Sequence, residues 1–98
     1  MIKPVSKQIS HLRALSHALN PVVMIGNQGL SEAVLKEIDV SLKAHELIKI
    51  KVLGDDRELR KQMLETICRQ LDAVPVHHIG KQLVIYRPAE TPKLILPK

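Results

Sequence analysis

Apolar residues recur along this chain at two spacings, and each spacing predicts its own elements. From about Val5 to Leu19, the residues Ile9, Leu12, Leu15 and Leu19 share one side of a helical repeat, while Lys3, Lys7, Arg13 and His17 fall on the opposite arc. That is an amphipathic helix, ended by Asn20-Pro21 because proline lacks an amide proton and disfavours helical backbone in the residue before it. Val22-Val23-Met24-Ile25 is a short apolar run rich in β-branched residues and closed by Gly26, which reads as an inner strand. Ser31 is a good N-cap for a second helix with a buried stripe of Val34, Leu35, Ile38 and Leu42, running to about Ala44 or His45. Leu47 to Leu53 then alternates, with Ile48, Ile50 and Val52 on one face and Lys49 and Lys51 on the other. A strand with one wet side implies a sheet covered by helices on one face only.

Gly54-Asp55-Asp56 makes the next turn, and Asp55 with Glu58 resembles a capping box for a third helix carrying Met63, Leu64, Ile67 and Leu71. Val74 to Ile79 and Gln82 to Arg87 read as two strands around Gly80-Lys81, a hairpin signal, with Pro75 pointing to a sheet edge. The order helix-strand-helix-strand-helix-strand-strand, with right-handed crossovers, predicts an α/β fold. Its expected form is a two-layer sandwich on a four-stranded mixed sheet, mostly parallel, with all helices on one face. Residues 1–87 are expected to form one domain and 88–98 a tail, whose Leu94-Ile95-Leu96 run is free to dock or stay loose.

Composition narrows the function classes. A chain of 98 residues with 45% apolar content supports one core. No apolar run is long enough to span a membrane, and Lys3, Lys7, His11, Arg13 and His17 interrupt the first nineteen residues, so a soluble, cytoplasmic protein without a membrane partner is expected. Cys68, alone among Leu64, Ile67 and Leu71, reads as a small buried hydrophobe. His11, His17, His45, His77 and His78 fall on at least three elements with no zinc spacing, and neighbours in a strand such as His77 and His78 point to opposite faces, so no metal and no cofactor is expected. No nucleophile stands beside a base, and no pair of carboxylates is isolated by apolar walls, so neither catalysis nor a small-molecule substrate is indicated. The net charge of +5 is unevenly placed: Lys3, Lys7 and Arg13 are the only charged residues before Glu32. A one-signed segment attracts polyanions, though a merely solvated basic face has the same composition.

Gly26-Asn27-Gln28-Gly29 lies between a predicted strand and a predicted helix N-terminus, where main-chain amides and the helix dipole favour an anion such as phosphate. Paired glycines permit close approach, and Asn27 and Gln28 can donate neutral hydrogen bonds. KH-type domains clamp a single-stranded RNA backbone with a four-residue G-x-x-G of this kind. A strand-to-helix turn can also need glycine for geometry alone. The run is neither a P-loop, since Leu30-Ser31 follows Gly29, nor a dinucleotide fingerprint, which needs a third glycine. Lys49 and Lys51, with Tyr86, offer a second RNA surface on the wet strand face, or else simply keep that face soluble. With one Tyr and no Phe or Trp, no aromatic stacking platform can be built, so recognition should lean on backbone and shape.

A longer ordered series is more specific. Leu12-Arg13-Ala14, His17, Asn20-Pro21-Val22-Val23, Ile25-Gly26 with Gly29-Leu30, His45-Glu46-Leu47-Ile48-Lys49, Asp56-Arg57, Ile79-Gly80-Lys81 and Tyr86-Arg87 together resemble the CRM domain. That family is named for chloroplast RNA splicing and ribosome maturation, and the chain is most similar to its bacterial stand-alone members of the YhbY type. The resemblance covers about residues 5 to 87. It implies RNA binding through the G-x-x-G loop, a sheet akin to the C-terminal domain of bacterial translation initiation factor three, and association with ribosomal RNA in precursors of the large ribosomal subunit. Gly26, Asn27, Gln28 and Gly29 are then expected to contact RNA, with Lys3, Lys7, Arg13, His17, Lys49 and Lys51 supplying charge. Two other readings stay open: a protein-interaction module using an open sheet face or the tail, and an enzyme holding a small phosphorylated ligand.

Overall fold

The computed structural model describes residues 5–26 and 28–89. Its elements are α1 (Ser6–Ser16), β1 (Val23–Ile25), α2 (Glu32–His45), β2 (Leu47–Val52), α3 (Arg57–Leu71), β3 (Val74–Ile79) and β4 (Gln82–Tyr86). This is the order that the spacing of apolar residues predicts. The strands form one mixed sheet in the order β1-β2-β4-β3. β1 is parallel to β2, and β4 is antiparallel to both β2 and β3, so β2 and β3 point the same way.

Helices cover both faces of this sheet, which corrects the expected two-layer sandwich. On one face Val23, Ile25, Ile48, Ile50, Leu83 and Ile85 pack against Ile38 and Leu42 of α2 and Met63, Leu64 and Ile67 of α3. On the other, Leu47, Val76, Val84 and Tyr86 pack against Leu12 of α1, with Ile9 and Leu19 at the border. Crossover handedness constrains α2 and α3, since each joins parallel strands. It says nothing of α1, which precedes the first strand and settles where apolar strand residues remain uncovered. Leu12 is fully buried there, a contribution of roughly 2 kcal/mol from its side chain.

That placement changes the surface expected on β2. Lys49 is 8% exposed, and its stem lines the seam between α1 and β2 beside Leu19 and Leu47. Tyr86 is buried in the α1-side core, whereas Lys51 is exposed. A wet surface made of Lys49, Lys51 and Tyr86 therefore does not form.

Several boundaries also move for local reasons. The regular part of α1 stops at Ser16, and the amides of His17, Ala18 and Leu19 bond three residues back, tightening the last turn. Ser16, not Leu15, is buried with Leu12, because the stripe steps from 9 to 12 to 16 to 19. β1 is an edge strand rather than an inner one, pairing only with β2, and Met24 is 57% exposed. α3 is capped by Asp56, whose carboxylate accepts from the Leu59 amide at 3.0 Å, one residue later than the capping box suggests. Ser31 caps α2 as expected, accepting from the Val34 amide at 3.1 Å. Pro75 lies on the edge strand β3, beside a register shift between Pro75 and His77.

The end of β4 is tied down by one guanidinium. Arg87 donates to the Asp39 carboxylate at 2.8 Å, to the Leu71 carbonyl at 2.9 Å and to the Asp39 carbonyl at 3.2 Å, tying α2 and α3 to the end of β4. Its hydrogen bonds, helped by Lys43 at 3.2 Å, hold the Asp39 carboxyl below the ordinary carboxylate range. Cys68 is buried in the core, and desolvation pushes its thiol up to about 12, so it behaves as a small hydrophobe. The Leu94-Ile95-Leu96 run lies outside the described residues.

Candidate nucleic-acid interface

The carboxyl ends of β1, β2 and β3 come together at one end of the sheet, because these three strands share a direction. Ile25 is in register with Val52, while Lys51 and Ile79 both pair with Gln82. Three turns therefore emerge side by side: residues 26–29, Gly54 to Asp56, and Gly80-Lys81. They are stitched to the strand ends, with the Leu53 amide donating to the Ile25 carbonyl at 2.8 Å and the Val52 amide to the Lys81 carbonyl at 2.7 Å. In open α/β sheets this end is where ligands collect.

Within the first turn, the Gly29 amide donates to the Gly26 carbonyl at 3.0 Å, closing a tight turn. That bond takes one of the turn's amides away from any guest. Gln28 is exposed, and Asn27 lies outside the described residues. The two glycines differ. Gly29 has φ +74°, a left-handed conformation that other residues adopt only with strain, and a Cβ there would meet Met63 Cε at 3.7 Å. Gly26 has no such φ, and a Cβ built on it meets nothing within 4 Å. Neither packing nor left-handed backbone requires glycine at position 26.

Several cationic residues surround these turns. Lys51 is exposed on β2, in register with Met24 and one residue before Val52. Lys81 in the hairpin turn reaches Asp55 at 3.0 Å, an exposed ion pair that competes weakly with an incoming phosphate. Arg60, on the first turn of α3, is 7% exposed although its chain neighbours Arg57, Glu58 and Lys61 are exposed. It donates from one terminal nitrogen to the Gly54 carbonyl at 3.0 Å and from Nε to His78 Nε2 at 3.4 Å. Burial, then Arg60 and Arg57, hold His78 below its ordinary value, so the imidazole stays neutral and its Nε2 accepts.

The basic first helix sits elsewhere. α1 lies across β2, β4 and β3 on the opposite sheet face from α2 and α3. Arg13 Nε donates to the Val76 carbonyl of β3 at 2.9 Å, and His17 and Arg13 lie near His77, whose pKa burial and these neighbours lower. The Gly26–Gly29 turn leaves β1, at the other edge of the sheet. Three strand spacings of about 4.8 Å each put roughly 14 Å between these edges. Lys7 is exposed on α1, and Lys3 lies outside the described residues. Of the residues singled out from the sequence, the structure thus groups Gly26, Gln28, Gly29 and Lys51, and sets Lys7, Arg13 and His17 apart on α1, while Lys49 is covered.

The whole length from α1 to the end of β4 matches one family model. The CRS1 / YhbY (CRM) domain model aligns with residues 5–87. The chain belongs to the CRM domain family. A Haemophilus influenzae protein named as an RNA-binding protein is 50% identical over 93 residues, covering 95% of this chain and 94% of its own length. A Pseudomonas aeruginosa protein named as a candidate for RNA binding is 36% identical over 81 residues, covering 83% of this chain and 78% of its own. The solution structure of a Staphylococcus aureus protein, described as a candidate RNA-binding protein, superposes with a TM-score of 0.85 at 35% identity, covering 97% of this chain and all of that one.

Two features of this CRM domain escape a reading of the sequence. Lys81 joins the Gly26–Gly29 turn only through strand order, which puts the ends of β1, β2 and β3 on one side; the Gly80-Lys81 signal by itself marks a hairpin. Leu59 carried a local signal, as an apolar residue one helical turn before the Met63 stripe, on a turn otherwise made of Arg57, Glu58 and Arg60. Among the described residues no group of three or more His, Cys, Asp or Glu is placed to hold a metal, and no helix is long and apolar enough to cross a membrane.

Proposed function

We propose that this CRM domain is an RNA-binding protein and not an enzyme, and that it grips the RNA backbone at the carboxyl end of its sheet. Gly26 carries the reading. A glycine that neither packing nor left-handed backbone demands, on an exposed turn, is explained by a guest that approaches the main chain too closely for a side chain. Around it Gln28 and Asn27 donate neutral hydrogen bonds, Lys51 and Lys81 supply charge, and Gly29 shapes the turn. Lys7 and Arg13 on α1, with His17 on the same helix, offer a second surface for the same RNA further round the molecule; Lys3, expected to join them, lies outside the described residues. The RNA class that fits the family is ribosomal RNA in precursors of the large subunit, met in the cytoplasm. A sheet akin to the C-terminal domain of translation initiation factor three is part of the same reading, as is one domain over residues 1–87.

Replacing Gln28 with Asp places a negative charge at the exposed tip without disturbing the core. Binding to a fragment of large-subunit ribosomal RNA, followed by fluorescence anisotropy, should weaken about tenfold or more, the loss of one hydrogen bond to a charged group at about 1.5–3 kcal/mol. Unchanged affinity in a folded Gln28→Asp protein removes the turn from the interface.

A further inference from the structure

Beside the glycine turn lies a groove of about 540 Å³ that backbone binding leaves unused. Its walls are the turn on one side and the first three turns of α3 on the other, with Leu53, Leu59 and Met63 presenting apolar surface and Gln62 and Thr66 presenting polar edges. Leu53 and Leu59 are 41% and 47% exposed. We propose that this groove takes one unstacked nucleobase, belonging to a nucleotide whose phosphate lies against the Gly26–Gly29 turn. The proposal deepens the RNA-binding reading and rests on it.

The observations separate a base from a phosphate at this position. Asp55 and Asp56 both line the groove; Asp56 caps α3 at the Leu59 amide and Asp55 holds Lys81 at 3.0 Å, so the acids on this wall offset its cations and give a second phosphate little attraction. Arg60 also lines it, but its guanidinium is already engaged by the Gly54 carbonyl and by His78. An uncharged, flat group with an apolar face and polar edges suits such walls, and a nucleobase is that group. The chain tethering it is a sugar-phosphate backbone, whose charge stays on the turn side, away from the two aspartates.

The composition explains why the grip is aliphatic. The chain has one Tyr and no Phe or Trp, and Tyr86 is buried under α1. A base cannot be stacked between aromatic rings here. Met63 is the natural substitute, since a polarisable thioether makes favourable contacts with a ring. Its Cε lies 3.7 Å from where a Gly29 Cβ would be, so the glycine turn rests directly on the side chain that floors the groove. Gln62 and Thr66 offer both donors and acceptors, so the base edge is met by neutral hydrogen bonds.

The groove and the turn thus read one nucleotide from two sides, and they fail separately. The test uses the full chain and a short single-stranded RNA, with a series of the same RNA carrying one abasic site at each position in turn. Removing one particular base should weaken binding about fivefold, equivalent to about 1 kcal/mol. Leu59→Ser should weaken the parent RNA to a similar extent and abolish the difference between the parent and that abasic RNA. Because Leu59 is half exposed, this variant should keep the parent's thermal transition, and in the parent protein the methyl resonances of Leu59 and Met63 should move on RNA addition. If every abasic RNA binds like the parent and those methyls stay still, while Gln28→Asp still weakens binding, the base groove is overturned and the backbone grip stands. If the groove methyls move only with an apolar peptide, the occupant is a protein side chain and the proposal falls. If no RNA binds at all, the underlying reading fails and takes this one with it.

Discussion

Substituting the two turn glycines one at a time separates what the fold needs from what a ligand needs. At Gly29 the backbone is left-handed, φ +74°, so alanine there introduces a local cost of about 1–2 kcal/mol. The added methyl itself meets Met63 Cε at ordinary contact distance and contributes little strain. At Gly26 a Cβ stands in open space and φ lies outside the left-handed region. Alanine there restricts the unfolded chain at no comparable cost to the folded one, a gain of about 0.4–1 kcal/mol. For a domain of this size 1 kcal/mol shifts the thermal midpoint by about 4–8 °C. Gly29→Ala should therefore melt several degrees below the parent, and Gly26→Ala level with it or slightly above.

RNA affinity should run the other way for Gly26→Ala. If position 26 is glycine because a phosphate comes within contact distance of its main chain, a methyl there displaces the phosphate and costs about tenfold or more in affinity, equivalent to about 1.4 kcal/mol. Calorimetry and anisotropy on the same samples give both numbers. A Gly26→Ala protein that melts as low as Gly29→Ala would show that the fold does constrain this position. One that is stable and binds like the parent would show that nothing approaches Gly26 closely, and the argument for the turn as a clamp would be lost.

Three further outcomes follow from the same geometry. Arg87→Ala removes a buried clamp on Asp39 and the Leu71 carbonyl, and should cost about 2–4 kcal/mol in chemical denaturation, with Asp39→Asn costing less because the carbonyl contacts survive. Acidification should destabilise in two stages. His77 and His78 are depressed when folded, so the unfolded chain takes up protons first and stability falls as pH drops below about 6.5, levelling off once the folded residues protonate. Asp39 is also depressed, so its contribution is complete above its ordinary value of 3.8 and is lost as pH falls through the lower folded value. A stability profile flat between pH 7 and 5 would contradict the histidine environments. RNA binding should weaken linearly with salt on logarithmic axes with a slope reflecting roughly three to six phosphates, and Lys51→Ala should lower that slope by about one contact if it touches the backbone.

Element order, the caps at Ser31 and near Asp56, and the edge position of Pro75 were legible because each rests on local spacing or local backbone chemistry. The face that α1 occupies was not. Lys49 and Lys51 dominate the pattern of β2 on that side, and they conceal Leu47, Val76, Val84 and Tyr86, which come from three strands and meet only after the sheet is assembled. The burial of Arg60 is hidden in the sequence for a related reason, since it depends on the Gly54 carbonyl and on His78, one from the turn before α3 and the other from β3. The G-x-x-G turn was visible as four letters. Which of its glycines serves the backbone and which serves a guest depends on φ and on free space, and neither is written in the spacing.

The position of α1 also decides what its charge can do. A helix lying over the sheet beside the glycine turn would share phosphates with it, but Arg13 is anchored on β3, the strand farthest from β1, with one guanidinium nitrogen spent on the Val76 carbonyl. Over roughly 14 Å of strand spacing, which exceeds the Debye length of about 8 Å at physiological salt, Arg13 and the turn act on an RNA almost independently. If the turn is the clamp proposed above, register and orientation are set there, where the Gly29 amide is held on the Gly26 carbonyl. The helix adds attraction that any polyanion would feel. On the proposed reading, specific binding then depends on the carboxyl end of the sheet even though the densest one-signed charge in the sequence lies elsewhere.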